Sequence, residues 1–282
     1  MHKLFLPTLI AASLALVACN QSGPNAPGGK TATTQAARPT AVTGSVSMRV
    51  PTTLSPAAKL HVQLTNVTVK PPALTAEVKD VPVSQIPTTF QIDFNPGSID
   101  QAAFYVVEAT IVDGERHYVS ARQYPVLTKG ASAKVDIQLN PEPTAAENVE
   151  EDYKVLERAV GGMKRVQGSS EDDNSTTAWD GFFDKKGLRY IREIIDLGDK
   201  GRVNTFFAYR EDGRVLMVIK ESVPAMAERA NAATRAGWNE KDQLVLKTKR
   251  EGANMGVLAD ADAKALHERA SALYEQVSRR KP

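Results

Sequence analysis

Alternation of apolar and polar residues runs through the first half of the chain. It recurs at residues 46–50, 60–64, 90–94 and 135–139, and a mainly apolar run follows at 104–112. Period-two alternation is typical of strands with one buried face. Asp113-Gly114 lies between two such runs and predicts a hairpin turn. About seven short strands without helical periodicity predict a β-sandwich domain over residues 44–140.

A helical period replaces this alternation after a proline-rich linker at residues 141–147. Apolar residues at positions 149, 153, 156, 160 and 163 form one stripe, which predicts a helix. The polar stretch 168–177 is predicted to be a loop. Later segments are predicted as strands at 178–184, 188–197, 203–209, 215–220 and 243–248, and as helices at 223–234 and 259–279. Helix, antiparallel β-meander and helix make residues 148–282 an α+β domain.

The amino terminus carries a basic pair, an apolar stretch at residues 4–17, and the small residue Ala18 before Cys19. This order is typical of a secretory signal peptide, and the stretch is shorter than the roughly 20 residues of a spanning helix. A cysteine at this place resembles the lipobox of bacterial lipoproteins. The resemblance implies cleavage after residue 18 and a covalent lipid on Cys19, with Asn20 favouring the outer membrane and a domain facing the periplasm. Residues 19–43 read as a flexible tether behind that anchor.

Composition and motifs exclude several classes of function. Lys and Arg number 35 against 33 Asp and Glu, so no basic face points to nucleic acid. Cys19 is the single cysteine, which excludes disulfides and thiol catalysis. The four histidines show no metal-ligand spacing, and no catalytic motif occurs. We therefore predict a protein that is not an enzyme and binds no metal and no cofactor beyond the covalent lipid.

Two carboxylate groups leave alternatives open. Asp172 and Asp173 fit a solvated loop better than a Ca²⁺ site, since regularly spaced ligands are missing. Asp180 and Asp184 fit strand-edge charges better than a glycosidase pair. The basic end of the chain, Arg279-Arg280-Lys281, fits a helix C-terminus better than a headgroup contact.

Aromatic residues of the second half are candidate partner-binding residues: Trp179, Phe182, Phe183, Phe206 and Phe207. Neighbouring residues of a strand point to opposite faces of the sheet. If a helix packs on one face of the sheet, it buries only one residue of each Phe-Phe pair. The other residue lies on the opposite face and needs a second element to cover it. A second helix is one such cover, and a partner peptide or apolar ligand is the other.

The strand sequences of the first half resemble the YbaY/YscW-type lipoproteins. The resemblance rests on residues 44–50, 54–56 and 58–64 and continues through 90–94, 99–100, 105–111, 124–128 and 135–139. It implies a lipid-anchored β-sandwich, and its best-known type is a pilotin, a chaperone that carries a secretin subunit to the outer membrane. Residues 141–282 lie outside the resemblance. We expect a binding or chaperone role for an envelope component, with a secretin or outer-membrane assembly subunit as partner. The alternative is an inhibitor or stress-related binder of a cell-wall enzyme or glycan fragment.

Overall fold

Eight strands between residues 41 and 141 pair into one sheet, sheet A, in a computed structural model that describes residues 38–280. The strands are β1 (Ala41–Met48), β2 (Lys59–Asn66), β3 (Ala73–Pro82), β4 (Thr88–Asp93), β5 (Tyr105–Asp113), β6 (Arg116–Ser120), β7 (Tyr124–Val126) and β8 (Lys134–Pro141). Their order is β3-β2-β5-β6-β8-β1-β4, with β7 pairing only with β5. β1 and β8 are parallel, and the other pairs are antiparallel.

Sheet A curls until its two end strands, β3 and β4, come into contact, which gives a nearly closed, barrel-like form. Alternate residues of the strands, such as Val62, Leu64, Ile92 and Ile137, are fully buried inside it. The predicted all-β character of this half is confirmed, as is the hairpin, in which Asp113 pairs with Arg116. The two-layered sandwich stays a prediction.

Eight further strands form sheet B, and each pairs with its neighbours in the sequence. They are β9 (Lys164–Asp172), β10 (Ser175–Asp184), β11 (Gly187–Asp196), β12 (Arg202–Tyr209), β13 (Val215–Val223), β14 (Ala232–Trp238), β15 (Leu244–Glu251) and β16 (Asn254–Gly256). All pairs are antiparallel, so the predicted meander is confirmed.

Two predictions within this half are wrong. Residues 168–177 are not a loop, because β9 runs to Asp172 and β10 begins at Ser175. Residues 223–234 are not a helix, because β14 begins at Ala232 and fills the place between β13 and β15. The alanine-rich sequence favours a helix, but burial of Ala236 and Trp238 in the sheet outweighs that preference.

One helix covers each face of sheet B. α1 (Ala145–Ala159) begins at a Thr144–Glu147 capping box and buries Val149, Tyr153 and Leu156. α2 (Asp260–Ser278) buries its apolar side on the opposite face. Close approach needs glycine at Gly237 under α1 and Gly181 under α2, where an added Cβ would lie 2.7 Å from a valine methyl group. The predicted helix, meander and helix of the second half are therefore present.

Both sheets belong to one compact unit, Pro39–Pro282. The predicted division into two domains with a linker at residues 141–147 stays a prediction. None of the helices between residues 38 and 280 combines the length and apolar character needed to cross a bilayer.

Candidate binding surfaces

The predicted lipidation site cannot be placed on the fold. Ala18, Cys19, the signal peptide and nearly all of the predicted tether lie outside the described residues. Cleavage after Ala18 and acylation of Cys19 therefore stay predictions.

β3 gives sheet A a free edge. It pairs with β2 alone, so the backbone groups along its other side are unpaired within the sheet, although β3 also comes into contact with β4. Two irregularities interrupt the pairing, and Asp80 has a positive φ of 56° at one of them. The other irregularity lies at Thr75, so the regular pairing on this stretch is confined to residues 73–74 and 76–78. Such irregularities limit unwanted pairing at an edge. Along the regularly paired residues the unpaired backbone groups face outward from the pairing with β2, which is what an extended peptide uses in strand addition.

Three exposed apolar side chains lie at the same end of sheet A, and we call Val69, Leu74 and Phe104 the β3-end patch. Their exposed fractions are 45%, 55% and 52%. The Phe104 amide donates a hydrogen bond of 2.7 Å to Thr68 Oγ1, which holds the ring beside the β2–β3 connection. The Lys129 ammonium lies 5.7 Å from the centroid of that ring. The patch combines apolar contact area with a cation, which are features of a protein-binding surface.

Three of the predicted partner-binding aromatic residues are core residues. Trp179, Phe183 and Phe207 are buried on the face that α2 covers. Gly168 lies on one side of Trp179, where an added Cβ would overlap the indole. The Arg280 guanidinium covers the ring at 4.9 Å from its centroid.

Phe182 and Phe206 lie on the α1 face and are half-buried. Their rings flank Tyr190 at centroid distances of 6.0 and 6.4 Å, and the Tyr190 hydroxyl lies 3.2 Å from that of Tyr153 in α1. Burial raises the pKa of Tyr190 to about 12 and raises the pKa of Tyr153 further. The second cover required by the Phe-Phe pairs is thus a helix. A partner on the exposed parts of Phe182 and Phe206 stays a prediction.

The carboxylates considered as a Ca²⁺ site and as a glycosidase pair form local hydrogen bonds and ion pairs. Asp172 accepts from the Asn174 amide and the Ser175 hydroxyl at 2.9 Å each, which lowers the pKa of Asp172. Asp180 pairs with Arg192, and Asp184 with Arg189, both at 2.5 Å.

The described histidines are dispersed rather than clustered. His61 contacts Glu77 at 2.8 Å, His267 contacts Asp242 at 2.9 Å, and His117 lies 3.9 Å from Glu142. Between residues 38 and 280, no three His, Cys, Asp or Glu side chains converge as metal ligands would. At the basic end, Arg279 pairs with Glu275 at 3.6 Å, and Lys281 lies outside the described residues.

A row of polar side chains crosses the α2 face of sheet B. Five successive strands, β11 to β15, each contribute one polar residue, and each of these residues lies directly opposite the one on the neighbouring strand. The five are Glu193, Thr205, Lys220, Thr234 and Lys249. Neighbouring strands are about 4.8 Å apart, so the row is roughly 19 Å long. We call these five residues the polar row.

The polar row lies in an open groove with a cavity volume of about 700 Å³. A second row lies beside the polar row on the same face, two positions away in each strand. It holds Ile195, Val203, Ser222, Ala232 and Glu251. α2 forms the wall, where Arg269 donates a hydrogen bond of 2.5 Å to the buried carboxylate of Glu193. The volume falls within the usual range for small-molecule sites.

Sequence reasoning missed both the β3 edge and the groove. β3 carries mostly exposed residues, so apolar alternation is weak there, although Pro71-Pro72 marks its start. Residues of the polar row lie 12 to 15 positions apart in the sequence, and only register brings them together. The signal available is a polar residue within the apolar alternation of three strands, which are Glu193 in β11, Thr205 in β12 and Thr234 in β14.

A family model matches the first half of the chain. Residues 37–139 match the family model of YscW, the type III secretion system lipoprotein chaperone. That match coincides with sheet A and ends before α1 and sheet B. The resemblance read from the strand sequences is thereby confirmed for this part of the chain.

Among solved structures, an alternative pilotin from the type II secretion system of Vibrio cholerae is similar at 27% sequence identity. The alignment covers 36% of this chain and 96% of that chain, with a TM-score of 0.34. The search of curated proteins found no match.

Proposed function

We propose that this protein is a lipid-anchored chaperone of the bacterial outer membrane with a pilotin-type role. The observation that carries the proposal is the match of residues 37–139 to the YscW lipoprotein chaperone family, whose bounds coincide with sheet A. In this proposal Cys19 carries the lipid, the tether holds the folded part beside the membrane, and sheet A binds the partner. The partner is a secretin or another outer-membrane assembly subunit.

The β3 edge and the β3-end patch support this role. The free edge offers backbone donors and acceptors to an extended segment, and the patch offers apolar contact next to it. Strand addition obtains affinity from the main chain and specificity from side chains beside the edge. Leu74 belongs to both features, so it is the residue at which a substitution tests them together.

The proposal is tested by crosslinking and capture of the full-length protein in the bacterium that carries it. We expect the wild type to capture a secretin or outer-membrane assembly subunit. Cys19→Ala should keep the capture, but the partner should no longer reach the outer membrane. Recovery of a cell-wall enzyme, with unchanged distribution in Cys19→Ala cells, would instead support the inhibitor alternative.

A pair of surface variants tests the binding surface. Leu74→Asp places a charge in the β3-end patch and should lower capture at least about fivefold, which corresponds to about 1 kcal/mol. Met255→Asp is the matched control, because Met255 is 70% exposed on sheet B. Equal capture by the two variants would contradict partner binding at this patch.

A further inference from the structure

The groove on sheet B lies outside the residues that match the chaperone family, and its floor breaks the usual pattern of a sheet face. A sheet face beneath a helix is normally apolar along each strand. Here the polar row runs between Phe207 and Val218 on one side and Ile195 and Val203 on the other. Two of its members, Glu193 and Thr205, are buried. Polar groups at such a place need partners, and their partners show which ligand would fit.

The ends of the polar row are already neutralised. Glu193 is ion-paired with Arg269 of α2, and Lys249 is ion-paired with Glu251 at 2.7 Å. Asp262, the third acid of the groove, lies in the first turn of α2, where the helix N-terminus stabilises a negative charge.

Lys220, at the centre of the row, differs from both ends. Its side chain is exposed and forms no hydrogen bond or ion pair with any other residue between 38 and 280. Thr205 and Thr234 lie directly opposite it on the two neighbouring strands. Directly opposed residues have Cβ atoms about 4.5–5.5 Å apart, so the two threonine side chains lie beside the base of the Lys220 side chain, which is exposed. One cation and two hydroxyl donors form a site for a singly charged anion such as a carboxylate. A phosphate is more often held by an arginine fork.

Apolar side chains continue from this anion site. Ile195, Val203 and Ala232 are half-buried in the next row, and Leu266 of α2 faces the same groove. A ligand with its carboxylate at Lys220 would therefore lay an apolar body along these side chains. We propose that the groove binds a fatty acid, with its carboxylate on Lys220, Thr205 and Thr234 and its acyl chain between the second row and α2.

Calorimetric titration with dodecanoate below its micelle concentration tests the proposal. The protein is the full chain carrying Cys19→Ala, so that no covalent acyl group competes for the groove. We expect one dodecanoate per chain, and about tenfold weaker binding in Lys220→Gln, since a charge-assisted hydrogen bond is lost. Lys185→Gln is the matched control, because Lys185 is an exposed lysine in the β10–β11 turn. It should bind as the parent protein does.

Two further ligands separate charge from chain length. Dodecyltrimethylammonium carries the same chain with the opposite charge and should bind at least about tenfold more weakly than dodecanoate. Dodecyl phosphate tests the headgroup, and tighter binding of dodecyl phosphate than of dodecanoate would overturn the carboxylate assignment. Absence of dodecanoate binding, or equal binding by Lys220→Gln and its parent, would overturn the site itself. Thr205→Val and Thr234→Val should each weaken dodecanoate binding with the fold retained.

Discussion

The ion pair between Arg269 and Glu193 links α2 to sheet B at the groove, and its removal should lower the free energy of unfolding. The Glu193 side chain is 3% exposed, whereas that of Arg269 is 50% exposed. Loss of one partner from a fully buried pair costs about 3–5 kcal/mol, and exposed pairs contribute about 0–1 kcal/mol. Arg269→Met leaves the buried Glu193 carboxylate without its ion-pair partner, next to a part of α2 that is partly exposed to solvent. We therefore expect it to lower the free energy of unfolding by about 2 kcal/mol.

Urea denaturation followed by tryptophan fluorescence measures this effect directly. The protein has two tryptophans, and both lie in the core between sheet B and α2. The matched control is Arg279→Met, which removes an exposed pair with Glu275 on the same helix and should change stability by less than about 0.5 kcal/mol.

A double-mutant cycle isolates the pair from other effects of each substitution. Glu193→Leu with Arg269→Met replaces both charges by apolar groups and should recover most of the stability that Arg269→Met loses. If Arg269→Met has the stability of the wild type, or if the two substitutions are additive, the reasoning about the buried carboxylate is refuted.

Three other properties follow from particular contacts. Arg116 forms a bidentate pair with Glu147 and, with the Thr144 amide, lowers the pKa of Glu147 to about 2 from an ordinary 4.5. The pair stabilises the fold above pH 4.5, and its contribution is lost as the pH falls toward 2. Thermal unfolding of Glu147→Gln should therefore differ from wild type at pH 7 and converge with it near pH 2. Gly201 has φ 93°, and an added Cβ would overlap the Val223 carbonyl oxygen. Gly201→Ala should lose at least about 2 kcal/mol in urea, and more than Gly252→Ala, whose Cβ would meet nothing within 4 Å. Burial raises the pKa of Tyr190 from 10 to about 12, so the folded protein favours the protonated hydroxyl. The resulting stabilisation of the fold is complete below pH 10 and is lost as the pH rises toward 12. Tyr190→Phe should remove one late-ionising group from the phenolate absorbance titration, and an unchanged high-pH limb would contradict this.

Elements with a clear period were predictable from the sequence. Val149, Tyr153 and Leu156 form the stripe of α1, and all three are buried. β9 was not predictable, because its residues are polar on both faces and it is held by pairing with β10. Gly168 shows this dependence, since it matters only through Trp179 on the neighbouring strand. Local sequence does not encode such long-range pairing.

The same limit applied to the candidate surfaces. Adjacent phenylalanines indicated that both faces of sheet B need covers, but which ring each helix buries depends on register. Phe207 is fully buried under α2, while Phe206 is half-buried beside α1. The groove depends on register even more strongly, because Lys220 acquires its two threonine neighbours only when β12, β13 and β14 pair.

Stability alone does not explain why the polar row exists. Thr205 is buried as a residue, and its side chain forms no hydrogen bond with any other residue between 38 and 280, but its hydroxyl is not sealed from the groove. Valine would fill the same space, so packing alone does not require a hydroxyl here. Natural sequences depart from consistent apolar patterning mainly at functional sites. In our proposal the Thr205 hydroxyl finds its partner in the ligand. Thr205→Val should therefore keep or raise the stability of sheet B while it weakens dodecanoate binding. A structural role for Thr205 would instead lower stability, so the two measurements on one variant distinguish the explanations.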